Sequence, residues 1–139
     1  MVPRRWLVVI AAAQAALVAT IVFLADTDRL APLLTAVHAV PLGDKLGHVV
    51  LMGTLALTVD LALHARTVTV ARVPLRVGSM AVLAVVVLEE LSQRWLPSRN
   101  FDLGDLAADV IGIAIGGALA SLLLRRRASR AGAGAVPAA

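Results

Sequence analysis

Between Trp6 and Ala25 the chain carries no charged side chain, and Arg4 and Arg5 stand just before that run. A helix needs about 20 apolar residues to cross the hydrocarbon core of a bilayer, and this run supplies them. It is long for the apolar region of a signal peptide, and no clear small-x-small cleavage site follows it, so it reads as a retained first span. Hydrocarbon offers the backbone no water to bond, which leaves a helix as the structure of a span this long.

Three more apolar segments follow, at about 46–64, 77–96 and 106–124. Each has polar residues near an end: His48 and Asp60, then Glu89 and Glu90, then Asp109. Taken singly, each reads equally well as a buried helix of a soluble protein. Composition decides between the two. Of the 139 residues, 60% are hydrophobic and 16% charged, where an average soluble domain has roughly 45–50% and about 25%. A globule this small keeps too much surface to hide so many apolar side chains. Strong β alternation is absent, and the Ala and Leu content favours helix. The expected fold is all-α, a four-helix transmembrane bundle over residues 1–127. The small-residue segment 128–139 reads as a disordered cytoplasmic tail. The partly apolar connection 26–45 is expected to lie on or dip into the outer interface.

Basic residues set the orientation. Arg4, Arg5, Arg66, Arg72, Arg76, Arg125, Arg126, Arg127 and Arg130 fall on one side of this bundle; Arg29, Lys45, Arg94 and Arg99 fall on the other. The positive-inside rule places the first set, and with it both termini, in the cytoplasm. Of the 9 acidic residues only Asp60 lies toward that side. The net charge of +4 is thus explained by topology. No Lys/Arg stripe with interleaved aromatics points to nucleic acid. The chain has no cysteine, which excludes disulfides, thiolate metal sites and thiol nucleophiles. The expected partner is the lipid bilayer, and no cofactor is implied.

Polar residues converge at the outer ends of spans two, three and four. Asp44 and His48 are i,i+4 and share a helix face, with Lys45 beside them. Glu90 and Gln93 are i,i+3 and share another; Glu89, adjacent to Glu90, points about 100° away. Arg99, Asp102, Asp105 and Asp109 follow, and Asp105, Asp109, Gly112 and Gly116 form one stripe. An ionisable group at membrane depth costs roughly 2.5–3.5 kcal/mol. Three helices carry that cost at matching depth on one side, which points to a shared hydrated pocket. Gly112 and Gly116 would let a neighbouring helix come close there.

Plainer readings cover some of these residues. Asp44 or Asp105 reads as a helix cap as readily as a site residue. Arg99 with Asp102 reads as a structural ion pair. Asp60 reads as a group that snorkels or accepts from a neighbour, and His38 and His64 as interfacial. Arg125–Arg127 read as a stop anchor, with attraction to anionic lipid as a secondary effect. Glu90 and His48 fit the plain readings worst, since neither caps a helix where it sits.

The pattern resembles the VanZ-like family. The resemblance rests on "DKLGH" (Asp44, Lys45, His48), "EELSQ" (Glu90, Gln93), "PSRNFDLGDL" (Arg99, Asp102, Asp105) and the trailing Gly112 and Gly116, and covers about 43–117. Asp109 departs from it, because the family usually carries Asn there. Members are small multi-span proteins of the bacterial cytoplasmic membrane, named after one linked to resistance to the glycopeptide teicoplanin. The resemblance implies that setting and no reaction; the count of basic residues puts the polar site on the outer face.

Three functions are compatible with such a pocket. It could bind an anionic envelope lipid or glycan precursor through Asp44, Lys45, Gln93, Arg99, Asp102, Asp105 and Asp109. It could act on that precursor, with Glu90 and His48 as an acid–base pair. It could couple proton movement to transport. Ser92 and Ser98 show no spacing that would activate a nucleophile, and without HExxH or a similar motif no metal is expected.

Overall fold

The computed structural model describes residues 2–95 and 102–133. It is about 80% helical. In chain order the helices are α1 (Arg4–Asp26), α2 (Ala31–His38), α3 (Gly43–Ala62), α4 (Val77–Ser92) and α5 (Leu103–Ala133). A 3-10 turn, Gln93–Trp95, follows α4. Helices α1, α3 and α5 are long and apolar enough to cross a membrane.

The third expected span, 77–96, takes a shorter form. Helix α4 has 16 residues, which rise about 24 Å against roughly 30 Å of hydrocarbon. Its last residues include Glu89 and Glu90, and the chain then tightens into the 3-10 turn. Leu96 lies outside the described residues. Helix α5 runs on through 128–133, where Ala and Arg are good helix formers. The rest of the expected tail, 134–139, lies outside the described residues.

The all-α expectation needs one correction. Strands β1 (Thr67–Val70) and β2 (Val73–Arg76) form an antiparallel hairpin, with Thr67 opposite Arg76 and Val70 opposite Val73. Thr67, Val68, Thr69 and Val70 are all β-branched, which suits a pleated strand. Ala71 and Arg72 both take positive φ, 48° and 69°, as the two-residue turn that matches hairpin twist requires. Four alternating residues are too few to stand out between two long apolar runs.

Helix α3 is central and packs against α1, α2, α4 and α5. The buried core joins Met52, Leu55 and Ala56 of α3 to Val82 and Val86 of α4 and Ile113 of α5. Helix α1 is peripheral, and its 18-residue apolar stretch contains no buried residue. It is tied to α3 by the Thr58 hydroxyl donating to the Gln14 side chain (2.5 Å) and Arg4 Nε donating to the Ala62 carbonyl (3.1 Å).

Glycines set the α3–α5 spacing. A Cβ on Gly112 would strike the Val49 carbonyl, and one on Gly116 the Gly53 carbonyl. A Cβ on Gly53 would meet the Gly112 carbonyl at 3.0 Å. Backbone lies on backbone, as the small-residue stripe on α5 predicts. At the far end of the same seam Asp60 is fully buried. It does not snorkel. Its carboxylate accepts the Ser79 N–H (3.2 Å) and hydroxyl (2.6 Å), and so caps the first turn of α4 from another helix. A Cβ on Gly78 would strike that carboxylate.

Gly116→Val should therefore lower thermal stability in detergent by about 1–3 kcal/mol through overpacking. Gly47, also on α3, has nothing within 4 Å of its would-be Cβ, and Gly47→Ala should be neutral or stabilising by up to about 1 kcal/mol. Equal losses from both would show that the glycine seam does not set the helix spacing.

Candidate functional site

The site is assembled from the first turns of α3 and α5 and the last turn of α4. Asp102 begins α5 as its N-cap. Its side chain accepts the Gly104 N–H at 2.7 Å, and its carbonyl accepts from Asp105 and Leu106. The cap is thus Asp102, one of the two residues expected to form an ion pair. Asp105, one turn further on, turns toward α3 instead. Asp44 lies in the first turn of α3, whose N-cap residue Leu42 makes no side-chain cap.

Lys45 joins the two helices. Its ammonium donates to Asp44 Oδ2 (3.1 Å), to Asp102 Oδ2 (2.6 Å) and to Asp105 Oδ1. An ammonium has three donors, and each meets a carboxylate here. One turn deeper, His48 Nδ1 lies 2.9 Å from Asp109 Oδ1, and His48 Nε2 lies 3.9 Å from Asp105 Oδ2. The i,i+4 spacings of Asp44 with His48 and of Asp105 with Asp109 place these groups in register across the seam.

Helix α4 closes the third side. Glu90 Oε1 accepts the Asp102 N–H at 2.7 Å, so a carboxylate of α4 fastens the start of α5. The Gln93 amide donates to Glu89 Oε1 at 2.8 Å. Gln93 was expected to work with Glu90; the i,i+4 partner Glu89 holds it instead. Glu89 was the residue of "EELSQ" set aside as pointing elsewhere, and its spacing to Gln93 was the signal that could have found it.

The result is a cluster with a sealed floor and an open rim. Glu90 (1%), Gln93 (3%) and Asp109 (3%) are buried, whereas the side chains of His48 and Asp102 are 28% and 50% exposed. Of the residues singled out from sequence, Asp44, Lys45, His48, Glu90, Asp102, Asp105 and Asp109 meet here through these bonds. Arg99 lies outside the described residues. Asp102, its expected partner, gives its carboxylate to Lys45 and Gly104.

The electrostatics are acidic. Among the described residues Asp44, Glu89, Glu90, Asp102, Asp105 and Asp109 outnumber Lys45 and His48. The Lys45 ammonium, and then the Gly104 N–H, hold the Asp102 carboxyl below its usual range. Among the described residues no group of acids and histidines is arranged to hold a metal ion. What the cluster offers is a histidine oriented by a buried carboxylate, with carboxylate acceptors around it.

The chain matches no protein-family model, no curated protein and no solved structure.

The Lys45–Asp102 pair has a pH signature. A depressed folded pKa gives stability that is fully present above the unfolded aspartate value, about 3.9. That stability is lost as pH falls through the lower folded value. Asp102→Asn keeps a good N-cap but removes the charge. It should cost less than about 1 kcal/mol near neutral pH, because the pair is solvent-screened. Thermal midpoints of the two proteins should converge as pH drops below about 4. A difference that does not vary with pH would mean the ion pair is not its source.

Proposed function

We propose that the chain is a VanZ-like protein of the bacterial cytoplasmic membrane, a four-helix bundle with both termini cytoplasmic. In this reading α4 is a span as well, the third of the four. Its helix and the 3-10 turn together rise about 30 Å, the thickness of the hydrocarbon layer. The acidic cluster then faces outside, where an envelope lipid or glycan precursor is within reach.

The observation that carries the ligand class is the saturation of Lys45 by three carboxylates. A lysine so engaged is a poor seat for an anion, so the described residues favour the hydroxyl and ammonium groups of such a precursor. Carboxylates accept strong, charge-assisted hydrogen bonds from both. The anionic part of the precursor is assigned to Arg99 on the sequence pattern alone. The link to teicoplanin resistance belongs to the same proposal and rests on the resemblance alone.

One observation favours a second, enzymatic reading. Asp109 is buried and holds His48 by Nδ1, the arrangement that prepares an imidazole as a general base. The acid–base pair would then be His48 with Asp109 behind it, and Glu90 would position the start of α5.

Binding tests the first reading. The full chain in lipid nanodiscs should hold a polyprenyl-linked sugar precursor more tightly than the sugar-free polyprenyl phosphate. Asp105→Asn and Asp109→Asn should each weaken that preference by about tenfold, the effect of a lost charged hydrogen bond. Equal binding of the two lipids would overturn the reading. Turnover of the precursor that vanishes in His48→Gln while binding persists would establish the enzyme. Topology is open to single-cysteine labelling, because the chain has no native cysteine. A membrane-impermeant thiol reagent should label a cysteine at Asp28 in intact cells and not one at Ala128.

A further inference from the structure

The end of the bundle opposite the acidic cluster holds a cavity of about 260 Å³, where the start of α1, the end of α3 and the late turns of α5 meet. Arg4, His64 and Arg127 line it together with Leu7, Leu61 and Leu124, and no acidic residue does. Arg4 is fixed in place, since its Nε donates to the Ala62 carbonyl in the last turn of α3. That leaves the outer nitrogens of the guanidinium for other acceptors. In the run Arg125–Arg127 the first two are exposed, whereas Arg127 is half-buried and lines the cavity. Among the described residues no salt bridge engages Arg4, His64 or Arg127. Helix α1 also begins at this cavity without a side-chain cap, and its positive dipole end offsets the negative end of α3, whose last turn Arg4 bonds.

Position identifies the occupant. The cavity lies at the ends of helices that are long and apolar enough to cross a membrane, and a bilayer around them would bring lipid headgroups to such ends. It is smaller than the roughly 300–1,000 Å³ of pockets that enclose a whole small molecule. A headgroup with the start of one acyl chain suits it better. We propose that this cavity seats an anionic phospholipid, its phosphate held by the guanidinium groups of Arg4 and Arg127 and its chain against Leu7, Leu61 and Leu124. Guanidinium matches phosphate in a bidentate fork. The lipid joins α1 to α5, two helices otherwise linked chiefly through α3. This inference needs the spans alone. It shares no residue with the acidic cluster, so either can fail without the other.

The test is native mass spectrometry of the full chain released from bilayers of phosphatidylcholine mixed with phosphatidylglycerol. The wild-type chain should retain phosphatidylglycerol in preference to phosphatidylcholine. Arg4→Gln with Arg127→Gln should reduce that preference by more than about a hundredfold, the effect of two charged hydrogen bonds. Arg125→Gln with Arg126→Gln, which removes the same charge from exposed positions, should cost at most about thirtyfold, the general attraction of two surface charges. Equal losses from both pairs would show attraction to general surface charge and overturn the site. So would a wild-type chain without preference, or release of the lipid by inorganic phosphate as readily as by soluble short-chain phosphatidylglycerol. Folding of the variants is read from their thermal midpoints in pure phosphatidylcholine. If the first pair does not fold, Leu124→Trp replaces it: filling the cavity with every charge kept should also lower retention, and unchanged retention would overturn the proposal.

Discussion

Contact between the backbones of α3 and α5 governs the molecule. Gly53, Gly112 and Gly116 let the two helices meet without intervening side chains. At that separation the imidazole and the ammonium of α3 bond directly to short aspartate side chains at the start of α5. His48 therefore meets Asp109, and Lys45 meets Asp102 and Asp105. With alanine or larger residues along the seam, these bonds would stretch and their polar groups would lose partners at a depth where partners are costly to lack.

The same logic explains why polar groups gather at the ends of the bundle. Each sits where a helix begins or stops and backbone groups need partners. Glu90 serves the start of α5, Asp60 the start of α4, and Arg4 the last turn of α3. A carboxylate near a helix start and a cation near a helix end both complement the peptide dipoles. Residues that look costly within an apolar chain thus organise its architecture, and the acidic cluster and the arginine-lined cavity are built on that framework at opposite ends.

Several features were legible along the chain. The uninterrupted run 6–25 and the periodic polar residues led to long helices, and i,i+4 spacing placed Asp44 with His48 and Asp105 with Asp109. The stripe of Gly112 and Gly116 announced a close helix neighbour. Other features had weak signals. The four β-branched residues Thr67–Val70 formed a hairpin that their brevity concealed. The length of α4 depended on where its end tightened into a 3-10 turn. The cap at Asp102 had a rival reading, an ion pair with Arg99, that spacing could not separate, and the i,i+4 signal of Glu89 with Gln93 competed with the i,i+3 spacing of Glu90.

Local chemistry alone determined that this chain prefers lipid, forms long helices, and concentrates carboxylates at one set of span ends and arginines at the other. These properties follow from hydropathy, helix periodicity and charge, each read within a short window. Partner choice was settled by tertiary structure alone. That His48 takes Asp109, that Lys45 reaches Asp102 and Asp105, and that Asp60 caps a helix it does not belong to all depend on the distances from α3 to α5 and α4. No window along a single helix encodes those distances, because they arise only when two backbones pack.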